Sequence, residues 1–135
     1  MTSVRNPAIR ALSIRQPWAE LILRGDKTVE ARPMRTNKRG ERVYIYAGLQ
    51  RIEREEEARI ATEFGIDVDA LPRGVIVGTV EIVGCKPLRQ EHSPAACFYV
   101  TKSTKGYAWL LSKPERIRAT RKPTRHPQPS FFTPF

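Results

Sequence analysis

The sequence predicts an α+β domain in which short helices flank a small mixed β-sheet, and three observations carry that expectation. Several stretches alternate apolar and polar residues with period two, or run in β-branched residues, as strands in a half-buried or central position do. Two other stretches gather apolar residues on one helical side and stop at a glycine, as short amphipathic helices do. A chain of 135 residues, 40% of them hydrophobic, supplies one core and hardly two.

Residues 11–15 are the first expected strand. Pro17 follows at the first position of a helical turn, where its fixed φ is pre-set and its missing N–H costs nothing, and Gly25 ends that helix. Trp18, Leu21 and Ile22 share the apolar face, so Trp18 is expected in the core rather than as a platform for a base. Thr28, Glu30 and Arg32 then alternate with Val29 and Ala31, and Pro33 holds Arg32 extended. Glu30 and Arg32 therefore share one strand face, roughly 7 Å apart, with Lys27 beside the Gly25 turn.

Residues 34–41 form a basic loop without period, and 42–47 a strand in which Val43, Ile45 and Ala47 alternate with Tyr44 and Tyr46. Residues 50–64 are a second expected helix, with Ile52, Ile60 and Phe64 on one side and Gly65 as its C-cap. Its acidic run, 53–57, reads as a solvated face with Glu55 paired to Arg59. The longest apolar run, 75–84, is the expected central strand. Within it Glu81 shares a face with Val77, Thr79 and Val83, either half-buried and in need of a partner or exposed on the solvent side. Gly78 marks a bulge or a close approach to the backbone. Tyr107, Trp109 and Leu111 alternate in a last strand, ended by Lys113 and Pro114, with Trp109 in the core. From Ala119 the composition turns basic, proline-rich and phenylalanine-rich, and no regular element is expected. This tail either folds back through Phe131, Phe132 and Phe135 or stays loose as a basic arm.

Twenty-four Lys and Arg against fourteen Asp and Glu leave a formal charge of +10. Clustering of Arg24, Lys27, Arg32, Arg35, Lys38, Arg39 and Arg42 favours nucleic acid as partner over mere solubility. No apolar run is long enough for a membrane span and residues 1–10 lack the apolar core of a secretory signal, so a soluble, cytoplasmic protein is expected. Cys85, Cys97, His92 and His126 lack zinc-ligand spacing, and neither metal nor cofactor is expected.

The run Ala11-Leu12-Ser13-Ile14-Arg15-Gln16-Pro17-Trp18, followed by Gly-x-Lys-x-x-Glu-x-Arg over 25–32, resembles the ASCH domain, a small β-barrel of the PUA-like superfamily. The resemblance continues through 43–47 and 75–82 and covers about residues 10–117. It implies a PUA-like mixed barrel with flanking helices over residues 1–118, a tail over 119–135, and RNA or nucleoside handling. ASCH domains commonly close with a glycine-aromatic strand, and the glycine of that strand has no counterpart here.

A Lys, a Glu and an Arg around one cleft allow more than one chemistry. For binding, Arg32 and Lys27 neutralise phosphate while Glu30 or Glu81 accepts a hydrogen bond from a base amino group, and Tyr46 or Tyr44 stacks on a base. Single-stranded RNA or a modified nucleoside suits such a pocket better than a duplex. Arg15 and Gln16 lie just upstream in the resemblance and are expected at the same cleft. For catalysis, the resemblance extends to amidohydrolases that deacylate N4-acetylcytidine with a lysine, a threonine two to three residues later and a glutamate on a later strand. Lys27 and Glu81 match; Glu30 occupies the threonine's place, leaving Thr28 as substitute. A ribonuclease is a further option, but no histidine pair supports acid-base RNA cleavage. A protein-interaction module of the transcription-coactivator kind is the third class, with the Phe-rich tail as its evidence. The plain structural alternative is a Glu30–Arg32 ion pair that holds the barrel mouth in register.

Overall fold

The first strand, β1 (Ala11–Arg15), pairs in parallel with β3 (Glu41–Gly48), and the crossover between them carries α1 (Trp18–Arg24) and β2 (Val29–Arg32). β3 pairs antiparallel with β4 (Val75–Pro87), β4 with β5 (Tyr107–Arg121), and β5 with β2. A two-residue strand, β6 (Phe131–Phe132), lies antiparallel on β1. The sheet order is β2-β5-β4-β3-β1-β6, a curled six-stranded half-barrel, with α2 (Arg54–Phe64) and α3 (Ser93–Ala96) in the connections. This computed structural model describes residues 9–135. Its architecture is the α+β one expected, and among the described residues no helix is long and apolar enough to cross a membrane.

The curl has a local cause in β4. Its register against β5 shifts between Ile76 and Gly78, between Thr79 and Glu81, and between Ile82 and Gly84, and such bulges bend a strand and increase its twist. They also put Val77, Val80 and Ile82 into one core, which strict alternation would divide between faces. Leu12, Ile14, Val43, Ile45 and Trp109 complete that core together with Ala19 and Ile22 of α1. Gly78 is the close approach expected there: a Cβ would collide with the Glu115 carbonyl and with Leu23 of α1.

Helix α1 begins at Trp18, with Pro17 as the cap residue rather than the first helical one. The Gln16 side-chain carbonyl accepts the Glu20 amide at 3.0 Å and satisfies an orphan donor of the first turn. Gly25 ends the helix in the left-handed conformation, φ 85°, as expected of a C-cap glycine. In α2 the expected Glu55–Arg59 pair does not form. Arg59 is drawn to the Cys97 carbonyl at 2.7 Å, and from there it meets Glu56 and Glu63. Nor is the acidic run wholly solvated, since Glu57 is buried against Arg51.

The tail corrects a second expectation. β5 continues through Lys113 and Pro114 to Arg121, because the shift between Thr79 and Glu81 takes those two residues out of the ladder and no hydrogen bond is asked of the proline. Beyond it the chain folds back. Phe131 stacks on Trp109 with ring centroids 5.6 Å apart, while Phe132 and Phe135 meet Tyr46 and Tyr44 edge-on at 5.5 and 5.6 Å. Burial of these rings outweighs the disorder that the prolines favour. The Ser13 amide donates to the Ser130 carbonyl at 3.1 Å, and the Ser13 hydroxyl donates to that of Gln128.

Candidate functional site

The Gly25 turn reverses the chain so that the Lys27 amide donates to Leu21 O at 3.0 Å. The Lys27 side chain thereby enters the space between α1, β2 and the segment after α3. Its ammonium is 4.7 Å from the Trp18 ring centroid and 5.7 Å from that of Phe98, donates to Ala96 O at 2.7 Å, and lies 3.8 Å from Glu30 Oε1. Only 3% of Lys27 and 8% of Glu30 is exposed. Glu30 Oε2 accepts from Arg32 Nε at 2.8 Å. Ammonium, carboxylate and guanidinium are thus linked in a chain through Glu30.

The Arg32 guanidinium continues away from this point. Its Nη2 donates to Ser13 O at 2.6 Å, and it lies over the Trp109 ring at 5.7 Å. β2 is one edge of the sheet and β1 is next to the other edge. Arg32 therefore ties the two ends of the curl together with side-chain hydrogen bonds where no strand pairing exists.

In front of Lys27 and Glu30 opens a hollow of about 240 Å³, lined also by Trp18, Ala31, Glu56 and Phe98. Trp18 and Phe98 meet edge to face, 6.2 Å between centroids, and form its aromatic wall. A groove of about 560 Å³ adjoins it, shares Trp18 and Glu56, and adds Arg15, Ile52, Glu53, Glu55 and Arg59. Burial lowers the Lys27 pKa below its ordinary 10.5; Glu30 opposes that shift and Arg32 adds to it weakly. Burial likewise raises the neighbouring Cys97 thiol, against the pull of Lys27.

The structure places the expected residues unequally around this hollow. Lys27 and Glu30 line it, and Arg32 backs Glu30 from behind. Arg15 reaches the adjoining groove and bonds Gln50 at 2.9 Å. Gln16 is buried, capping α1 and donating to Pro72 O at 3.0 Å. Tyr46 is buried beneath Phe132, its phenol pKa raised by that burial. Thr28 lies in a separate hollow, which Lys27 also lines together with Gly25, Ser112 and Lys113. Glu81 is half-buried on β4 opposite Arg42 and Ser112, outside the lining of both the hollow and the groove.

Three features went unread in the sequence. Trp18 packs on the core, as expected, yet its free edge also walls the hollow. Phe98 belongs to no periodic stretch; it reaches Lys27 because α3 is tethered through the Thr28 amide to Ala95 O at 2.9 Å. Glu56 belongs to the acidic run 53–57, whose helical spacing predicts a solvated face, yet it lines both the hollow and the groove. The one available signal was Pro94 opening a short helix between two long strands, which fixes the segment that follows.

The family model of the ASCH domain matches residues 12–121, from β1 to the end of β5. The chain belongs to the ASCH domain family. Lys27, Glu30, Trp18 and Phe98 all fall within the matched range. Activating signal cointegrator 1 of Homo sapiens is 34% identical to this ASCH chain over 86 residues, and the Mus musculus protein 35% over the same length. Those matches cover 58% of this chain but 15% of each relative, so the chain spans a small part of the length of the curated relatives it matches. Among solved structures, the ASCH protein of Zymomonas mobilis superposes with a TM-score of 0.64 at 17% identity, over 95% of this chain and 88% of that one. A mutant of the same protein gives 0.58 at 15% identity, over 92% and 88%. At such identity the likeness shows the fold alone, the PUA-like α+β fold.

Proposed function

We propose that this ASCH domain binds RNA by admitting one unstacked base of a single-stranded or modified nucleotide into the Lys27 hollow. One observation carries the reading: a buried Lys27–Glu30 pair forms the floor of an open hollow whose wall is aromatic. The ammonium donates and the carboxylate accepts, side by side. That pairing complements a base edge on which an acceptor adjoins an amino group, as on cytosine, whose N4 amino group bonds carboxylates. Trp18 and Phe98 supply the apolar surface against which a base rests, a contact of about 1–3 kcal/mol per base. The formal charge of +10 supplies the attraction for a polyanion.

Titration of short single-stranded RNA into the protein tests this. Affinity falls steeply with salt, and Trp18→Ala and Lys27→Met each weaken binding. Affinity indifferent to both substitutions removes the base from the hollow.

A second reading, a hydrolase removing the acyl group of a nucleoside such as N4-acetylcytidine, is favoured by the burial of Lys27, since a lowered pKa leaves more of the amine unprotonated and able to accept a proton. Lys27 and Glu30 would be its working groups in the aromatic-walled hollow, while Thr28 shares the separate hollow with Lys27. Incubation with N4-acetylcytidine and chromatography for cytidine decides it: turnover that vanishes in Lys27→Met places catalysis first. A protein-interaction module loses the tail as its evidence, because those phenylalanines pack inside the fold, and keeps the similarity to activating signal cointegrator 1.

A further inference from the structure

We propose that a second hollow, between the loop after β2 and the C-terminal strand β6, holds the sugar-phosphate backbone of the RNA whose base enters the Lys27 hollow. The proposal rests on that base-binding reading for its partner and on charge for its place. The Lys27 hollow and its adjoining groove contain Glu30, Glu53, Glu55 and Glu56 against Arg15, Lys27 and Arg59. Four carboxylates against three cations give phosphate no reason to settle there, in a protein of formal charge +10. The attraction for a polyanion must be exerted elsewhere.

The second hollow, about 390 Å³, has the opposite character. Arg35, Asn37 and Lys38 line one side, Trp109 and Phe131 the other, and no carboxylate lines it. Among the described residues neither Arg35 nor Lys38 is within ion-pair distance of an acid; Arg35 lies over the Tyr107 ring at 5.3 Å, which leaves its forked donors for an anion. Phe131, half-buried and stacked on the buried Trp109, offers an apolar surface to a sugar or a splayed base.

The loop that carries these cations is held in place. The Trp109 indole N–H donates to Met34 O at 2.9 Å, the Gly40 amide to Ile82 O at 2.6 Å, and the Lys38 amide to Thr36 Oγ1 at 3.2 Å. An anion meeting Arg35 and Lys38 therefore orders little new chain.

One strand can serve both hollows. Ala31 lines the first and Arg35 the second, and four residues of chain reach at most roughly 14 Å. That is about four nucleotides of stacked strand at about 3.4 Å each, and fewer where the strand is stretched.

The chain contains two tryptophans, one in each hollow, and they make the test separable. The two indole N–H signals are followed by two-dimensional nitrogen-proton NMR, assigned with Trp18→Phe and Trp109→Phe, while cytidine or a cytidine hexanucleotide is added. Cytidine is expected to shift the Trp18 signal alone, and the hexanucleotide both. The double variant Arg35→Ala with Lys38→Ala, folded by the same spectra, should lose the Trp109 shift, keep the Trp18 shift with cytidine, and flatten the log-log salt dependence by about 1.4. A hexanucleotide that shifts Trp109 but not Trp18 sinks the base-binding reading and leaves the second hollow standing. A shift at Trp18 alone, no shift at either, or an unaltered salt slope in the double variant overturns the proposal.

Discussion

Replacing Lys27 by methionine isolates the buried ammonium while keeping most of the side-chain volume. The variant loses a hydrogen bond to Ala96 O, which leaves a buried carbonyl unsatisfied at about 1–3 kcal/mol, and a desolvated cation–π contact with Trp18 of about 2 kcal/mol. Against these stands relief from burying an ammonium that is 3% exposed. Breaking a buried ion pair usually costs about 3–5 kcal/mol because the remaining charge is orphaned. Here Glu30 keeps Arg32 at 2.8 Å, so the expected loss at neutral pH is smaller, about 1–3 kcal/mol. The pH dependence is the sharper test. Burial sets the folded Lys27 pKa below 10.5 while the unfolded chain keeps that ordinary value. Below the folded pKa both states are protonated and the stability is level. Between the two values the unfolded chain holds a proton that the folded chain has released, so stability rises with pH, by no more than about 1.4 kcal/mol per unit. Above 10.5 both are neutral and the rise ends. The methionine variant lacks this group, so its deficit relative to the parent grows as pH approaches 10.5. Urea unfolding of both proteins across that range, followed by far-ultraviolet circular dichroism, measures the difference, in which titrations not coupled to Lys27 cancel; the Cys97 thiol, which Lys27 pulls down, does not. A deficit that stays constant or shrinks refutes the account of Lys27 as a lysine held by a desolvating site.

Three further outcomes follow from the same contacts. Arg32→Ala leaves the buried Glu30 with Lys27 alone at 3.8 Å and strips Ser13 O of its donor, so urea unfolding should show a loss of about 3–5 kcal/mol, with the salt slope of RNA binding unaltered. Glu20→Gln removes a carboxylate bonded by Arg116 at 2.9 and 3.0 Å and by Arg24 at 2.9 Å; both arginines are substantially exposed, so the expected cost is about 1 kcal/mol. Burial opposes ionisation of Glu20, but the two guanidinium groups prevail and hold its pKa below 4.5, so this contribution is present above that pH and is lost as acid titrates the folded carboxylate. Parent and variant unfolding curves should converge on acidification. Phe132→Ala should cost about 3–5 kcal/mol, visible as a lower urea midpoint, because it empties the space over Tyr46 that the returning tail fills.

What could be read from sequence follows from how local each feature is. The strands over 11–15, 42–47 and 75–84 and the Gly25 and Gly65 helix ends depend on periodicity and on one permissive residue, and they lie where those signals put them. The full length of β5 is not legible, because Pro114 signals the end of a ladder and the bulge in the partner strand that releases it from hydrogen bonding has no local signature. The return of the tail is not legible locally because it depends on aromatic contacts with Trp109, Tyr44 and Tyr46, more than twenty residues away. At the site, the same-face spacing of Glu30 and Arg32 was legible, and so was the position of Lys27 beside them. The partners that assign each group its work were not: Ser13 O for Arg32, Pro72 O for Gln16 and Ala96 O for Lys27 are backbone atoms, which carry no sequence signature.

Under the proposed reading, Glu30 joins two otherwise separate roles, one in the fold and one in ligand binding. One oxygen secures Arg32, whose guanidinium bridges β2 to β1, and the other faces Lys27 at a distance too long for a strong hydrogen bond. The stability of the curl depends on the first contact, and the second is slack. A ligand amino group entering the hollow can therefore bond the second oxygen without loosening the strap, and a ligand carbonyl can draw on the ammonium without leaving the carboxylate uncompensated. Under the proposed reading, a site arranged in this way can exchange ligands on a floor of buried charge, because the charge that must stay paired for the fold is paired with Arg32, outside the lining of the hollow.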